Sequence, residues 1–289
     1  MPEIYIESAF DFLDLMKSRK IKEISYVFRG EADCTWKLVS TLERRIGDME
    51  ECNDPADFEL RIVQKFKELY PDWYKYDTLG LLAIMRHYGV PTRLLDVTFN
   101  PLAALYFACS DDDYSDKDGK VRIFPTYAGA RFTLLSRILA NTASMIKNGV
   151  ADLDNIYRIH AALDMRVDDE ESKTWNIGLL TRFLTSGHML YSPCYTDNQR
   201  CQSGTFMMVT NEYDENAKKF NNKVKYSNTV ARLDESVPDY VLISSAAKKK
   251  ILDELSFFGV CESVLLPEKD KIEKYAHILE EVKREAKVL

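Results

Sequence analysis

The sequence predicts an α+β protein, a small, twisted, mainly antiparallel sheet surrounded by helices. It reads as one domain over residues 1–289 with a helical insertion at 130–190. Three observations carry that reading. Short β-branched and aromatic runs recur along the chain. Longer stretches between them place apolar residues at helical spacing. The two do not alternate in the strand–helix rhythm of a doubly wound parallel sheet. With 289 residues, 46% of them hydrophobic and 29% charged, the chain can bury a sizeable core, and wholesale disorder is excluded.

The elements follow in order. Residues 5–18 put Ile6, Ala9, Phe10, Leu13 and Met16 on one helical face. Residues 24–29 (ISYVFR) read as a strand ending at Gly30. A helix over 58–70 stops at Pro71. A second, over 78–88, starts at a plausible N-cap, Thr78, and is ended by Gly89 and Pro91. Residues 92–98 read as a strand, and Asn100-Pro101 opens the apolar helix PLAALYFAC. The run 111–119 is a solvated loop without calcium-loop spacing, and 120–125 a strand. Residues 130–190 carry helices over 131–147, 153–164 and 175–185 and no convincing strand. Strands follow at 205–210 and 239–244, a helix at 246–258 stopped at Gly259, a short strand at 262–266 and a terminal helix at 268–286.

Composition removes several function classes. A net charge of −7 argues against general coating of DNA or RNA, which needs clustered Lys and Arg. No apolar run reaches the length of a membrane span, and the opening MPEIYIESAF lacks a signal-peptide pattern. Six dilute cysteines with no C-x-x-C pair fit neither a disulfide framework nor a zinc knuckle, so no metal is expected. A reduced, cytoplasmic protein is the expectation.

Polar chemistry concentrates in three segments. Residues 86–98 end a helix, turn on Gly89 and Pro91, and enter a strand between two apolar flanks. Ionisable groups in such a setting are paired or functional. Strand alternation puts Asp96 and Thr98 on one face and Arg93 on the other. Arg93 needs a carboxylate if it is buried, and Asp96 is the nearest, provided the strand bends; the pair would then be structural. His87 at the helix end is freer to face a ligand. In the second segment, Arg29 beside Gly30 ends a strand and can offer a fork to phosphate or carboxylate. In the third, a polar run from Asn198 leads through Gln202 and Gly204 into an apolar strand.

Phe28-Arg29-Gly30, then Trp36-x-Leu38 and Thr41-Leu42-x-Arg44-Arg45, resemble the opening of the FRG domain family. The run from His87-Tyr88-Gly89-x-Pro91-Thr92-Arg93-Leu94-Leu95-Asp96-x-Thr98 to Asn100-Pro101 and on to Phe107-Ala108 is similar to that family's most specific signature. Arg200-x-Gln202-x-Gly204-x-Phe206 resembles its later motif. Two positions depart from the pattern: Arg86 stands where members usually carry Gln, and Val97 where they carry an aromatic.

The family's motif order resembles that of mono-ADP-ribosyltransferases. The resemblance implies an NAD-binding effector, a bacterial toxin or phage-defence component, acting on a protein or nucleic acid. It implies Arg29, Gly30 and Tyr88 as cofactor-binding residues, with Tyr88 or Tyr106 as an aromatic wall for nicotinamide, and His87, Thr98 and Gln202 as catalytic residues. Gln202 stands where such transferases commonly use Glu, which leaves Glu31, Asp96 or Glu262 as substitute carboxylates. Two other readings compete. One is a non-catalytic module for a nucleotide or phosphorylated ligand. The other is a hydrolase or nuclease using His87 and Asp96 as an acid–base pair.

Overall fold

The structure, a computed structural model, describes residues 3–18, 25–47, 55–126, 136, 140, 146–147, 150–152, 188–190, 193–208, 211–213, 223–230 and 239–268. Its strands are β1 (Tyr5–Ile6), β2 (Ser25–Glu31), β3 (Leu94–Thr98), β4 (Gly119–Thr126), β5 (Ile146–Lys147), β6 (Val150–Asp152), β7 (His188–Leu190), β8 (Gly204–Met208), β9 (Asn211–Tyr213), β10 (Lys223–Val230) and β11 (Asp239–Ile243). Its helices are α1 (Ala9–Ser18), α2 (Thr41–Gly47), α3 (Pro55–Leu69), α4 (Thr78–His87), α5 (Pro101–Cys109), α6 (Asp197–Cys201), α7 (Ser245–Phe257) and α8 (Glu262–Leu265).

Seven strands form the main sheet in the order β1-β11-β4-β2-β3-β8-β7. Every pairing is antiparallel except β1 with β11. The α+β class expected from the sequence is therefore correct, although the sheet is wider than expected. Strands β5, β6, β10 and β9 make a second, four-stranded sheet.

Alternation along the strands divides the core. Phe28 packs with α1, α5 and α7, together with Val121, Ile123, Val241 and Ile243. Leu94, Phe206 and Met208 pack with α3 and α4. Phe28 lies opposite Thr98, and Asp96 opposite Phe206, so both helix groups cover the same face of the sheet. Val27, Leu95, Val97, Phe124 and Met207 pack together on the other face. The two helix groups thus stand side by side over one sheet, and the boundary between them runs above β2 and β3.

Helix α5 is apolar all round and almost wholly buried, as its sequence requires. Asn100 caps it by accepting from Leu102 N and Ala103 N. Two glycines let it lie against the sheet. A Cβ on Gly30 would sit 2.0 Å from the Ala104 carbonyl oxygen, and one on Gly119 2.5 Å from that of Ala108. Gly30 is therefore a packing residue, and the reason for a glycine there is close helix approach.

Several sequence expectations change. Asp77, not Thr78, caps α4, through Gly80 N at 2.8 Å. Residues 262–266 form a helical turn, α8, instead of a strand. Strands β5, β6 and β7 fall within 130–190, where none was expected; Ser136 and Ala140 are helical there, and the rest of that insertion, with the terminal helix beyond 268, lies outside the described residues. No helix among the described residues is long and apolar enough to cross a membrane.

Candidate functional site

Strands β2 and β3 share a single registered pair, Phe28 with Thr98, and then part. The ladder is replaced by a side chain: Arg29 Nη1 donates to the Asp96 carbonyl oxygen at 2.8 Å. A cleft of about 320 Å³ opens over this split. Its walls come from the β2 end (Arg29, Gly30), the α4 end (Arg86, His87), β3 (Asp96, Thr98), Phe107 of α5, and the turn from α6 into β8 (Gln199, Gln202, Phe206). Segments separated by more than a hundred positions in sequence converge here, which is typical of binding sites.

Arg29 is held from behind. Its Nε faces Glu31 Oε1 at 3.3 Å. Glu31 Oε2 in turn accepts from Arg122 Nε at 2.8 Å, and Arg122 Nη2 donates to the Trp36 carbonyl at 2.9 Å. Arg29 and Arg122 are register partners on β2 and β4, so two guanidinium groups face each other across the ladder. Like charges in that position repel. Glu31, two residues on and on the same face, sits between them with both Glu31 and Arg122 fully buried. Arg29 itself lines the cleft. Arg122 and its role were not legible in the sequence.

Asp96 pairs with Arg86, not with Arg93. The strand does not bend as that expectation required. Arg93, the residue just before β3, forms a buried ion pair with Glu59 of α3, Nε to Oε2 at 2.7 Å. Arg93 is structural, as expected, but its partner was missed. Asp96 is half-exposed and lines the cleft, so it is not part of that clamp. Arg86 has a second feature: its Nε–H is buried with no acceptor among the described residues. A buried donor in this state calls for a specific explanation. Arg44 of α2 feels both Arg29 and Arg86; partial desolvation and these two like charges hold its pKa below the usual arginine value, against the pull of Glu31 and Asp96.

Thr98 and Gln202 meet at the cleft through a hydrogen bond. Thr98 Oγ1 donates to the Gln202 carbonyl and accepts from Asn100 N at 2.8 Å. Gln202 Nε2 donates to the Leu265 carbonyl at 3.0 Å, tying the turn to α8. His87 borders the cleft, with Nε2 3.7 Å from Glu268 Oε2. Glu268 also accepts from the Asp197 and Asn198 amides at 2.8 and 3.3 Å, capping α6. It was not among the carboxylates the sequence suggested. Tyr88 does not line this cleft. Its ring stacks on Trp73 at 5.2 Å and 6°, and it lines a separate pocket of about 160 Å³ that shares His87. Tyr106 is buried in the α5 core. The rings that face the cleft are Phe28, Phe107 and Phe206. Glu31 is buried between arginines, and Glu262 is exposed and outside the cleft, which leaves Asp96 as the carboxylate among the described lining residues. No group of three or more His, Cys, Asp or Glu among the described residues is placed to hold a metal ion.

The fold and site define an α+β protein in which an arginine-lined cleft opens at a split between the two central motif strands. Residues 24–117 match the family model of the FRG domain, and the chain carries that domain. No curated protein and no solved structure matches the chain.

Proposed function

We propose that the cleft binds NAD and that the protein is an ADP-ribosyltransferase-like effector, a bacterial toxin or phage-defence component that modifies a protein or nucleic acid. The observation that carries the reading is that two arginines, Arg29 and Arg86, line one cleft, the Arg86 Nε–H having no acceptor among the described residues. Two guanidinium groups at one cleft suit a pyrophosphate, whose oxygens accept forked donors. The residues present therefore fit the dinucleotide's charged centre. Phe107 and Phe206 offer the apolar wall that the nicotinamide ring needs, in place of Tyr88. Asp96, the carboxylate among the described lining residues, would stabilise the positive charge that develops as a ribosyl–nicotinamide bond breaks. Arg86 would be shared between such a pyrophosphate and its present partner, Asp96. Thr98 and Gln202 act by holding the β3–β8 turn in place.

A second reading, a non-catalytic nucleotide- or phosphate-binding module, is favoured by one specific observation: the Thr98 hydroxyl and the Gln202 amide are both committed to internal hydrogen bonds. A His87–Asp96 acid–base pair draws no support, since His87 faces Glu268 and Asp96 faces Arg86.

The deciding experiment incubates the protein with NAD and follows free nicotinamide, with and without cell extract. Release that disappears in Arg29→Ala and in Asp96→Asn supports the transferase. Saturable NAD binding without release supports the binding module. Absence of both, with the variants folded, overturns the nucleotide reading.

A further inference from the structure

We propose, resting on the reading of the cleft as a phosphate site, that Glu31 and Arg122 are positioning residues. Together they fix the Arg29 guanidinium where β2 and β3 part, so that it meets the ligand's phosphate already oriented.

Neither residue touches the cleft. Phe28, Arg29 and Gly30 line it, whereas Glu31 and Arg122 do not. Strand alternation puts the three charged groups on one face of the sheet. Arg29 and Glu31 follow Val27 at intervals of two, and Arg122, the register partner of Arg29, stands two before Phe124. That face lies away from α4 and α5, whose residues Arg86 and Phe107 also line the cleft. Arg29 therefore reaches the cleft from a root on the far face, through the gap that opens beyond the single Phe28–Thr98 pair.

A guanidinium on so long a stem has many rotamers, and binding must stand the cost of choosing one unless the fold has already chosen. Two contacts choose it here. Arg29 Nη1 donates to the Asp96 carbonyl at 2.8 Å, and Nε to Glu31 Oε1 at 3.3 Å. The second contact depends on Arg122. The buried carboxylate is divided: Oε1 serves Arg29, while Oε2 accepts from Arg122 Nε at 2.8 Å. Arg122 is anchored in turn, its Nη2 donating to the Trp36 carbonyl at 2.9 Å. The unequal distances show that Glu31 is committed mainly to Arg122. Were Arg122 to release it, both oxygens could turn to Arg29 in a bidentate fork and take up donors that a phosphate needs. Were the carboxylate shorter, it could not span the two guanidinium groups, and the Arg29 head would lose one of its two holds. Arg122 thus divides Glu31, and the divided carboxylate orients Arg29 without saturating it.

The test uses variants of the full chain that conserve charge. Glu31→Asp shortens the carboxylate by a methylene, and Arg122→Lys keeps the cation without its fork. Calorimetry follows the binding of inorganic pyrophosphate, with melts to show that each variant is folded at the assay temperature. Each should bind roughly fivefold or more weakly than wild type, although no charge has been removed and neither residue lines the cleft. The loss should persist in high salt, which would screen a change in the long-range field. A second measurement needs no ligand. In isotope-labelled protein, NMR follows solvent exchange of the Arg29 Nε–H, which should be slower than that of exposed Arg200 and should accelerate in both variants. Unchanged pyrophosphate affinity in both folded variants overturns the proposal, as does an Arg29 Nε–H in the wild type that exchanges as fast as that of Arg200. Should the wild type bind no pyrophosphate while the exchange pattern holds, the phosphate reading of the cleft fails and the holding of Arg29 stands.

Discussion

Replacing Arg93 by Ala tests the division of labour between the arginines. Arg93 and Glu59 are 4% and 3% exposed, and their contact fastens α3 to the start of β3. Removing the guanidinium leaves the Glu59 carboxylate buried without its counter-charge. Breaking a buried pair in this way costs roughly 3–5 kcal/mol. For a chain of this size that corresponds to a fall in Tm of roughly 6 to 20 °C. Removing both charges should recover most of the loss, because a buried pair is often replaceable by apolar side chains of similar volume. Arg93→Met with Glu59→Leu should therefore melt closer to wild type than Arg93→Ala does. Arg29→Lys behaves differently. It keeps a positive charge near Glu31 and should melt within a few degrees of wild type, but it loses the fork and with it ligand affinity. Thermal melts with and without NAD on the four proteins measure both effects. The reasoning is refuted if Arg93→Ala melts like wild type while Arg29→Lys unfolds.

Other consequences are open to simple measurements. Gly30→Ala places a methyl group 2.0 Å from a backbone oxygen of α5, so it should destabilise by about 3 kcal/mol or more; a urea midpoint equal to wild type would show that α5 does not rest there. Arg86→Gln breaks a partly exposed pair, worth about 1 kcal/mol at most, and should barely move Tm while weakening a pyrophosphate ligand about tenfold or more; a large loss of stability with unchanged binding would contradict the assignment. Glu31→Gln leaves Arg29 and Arg122 facing each other without a counter-charge, and a clear drop in Tm is expected; unchanged melting in low salt would count against the triad. Burial pushes the Cys109 thiol up from 9.0 to about 12. A raised folded pKa contributes stability below the unfolded value that is lost as pH rises through the folded one, so the Cys109 contribution should decline between about pH 9 and 12. Cys109→Ala should flatten that part of the stability–pH curve, and a curve identical to wild type would refute the attribution.

The sequence was most informative where a single element decides its own shape. The helix after Asn100-Pro101, the stop at Gly89 and the stop at Gly259, with φ of 79° and 72°, follow from local rules. It also placed Asp96 and Thr98 correctly on one face of β3. Pairings between elements were a different matter. Nothing local in the Arg93 segment points to Glu59, thirty-four positions earlier, and Asp96 was the nearest carboxylate in sequence without being the nearest in space. Arg122 belongs to an ordinary-looking strand, and only the β2–β4 register brings it opposite Arg29. Glu268 lies just beyond an element read as a strand and found as a helix, so its contact with His87 had no sequence signal. Gly30 was legible as a special position; that its missing Cβ makes room for a helix was not.

The single pair that joins β2 to β3 has a bearing on what can be inherited as a unit. The matched segment, residues 24–117, contains both strands, yet they share one registered pair and the Arg29 side-chain bond to Asp96. Their full-length neighbours, β4 and β8, come from later in the chain. Cut out alone, the segment would keep its signature residues and lose the scaffolding that spaces them. Shuffling of this motif between proteins would then have to carry the later strands as well, and a match confined to the signature would understate how much chain must travel with it.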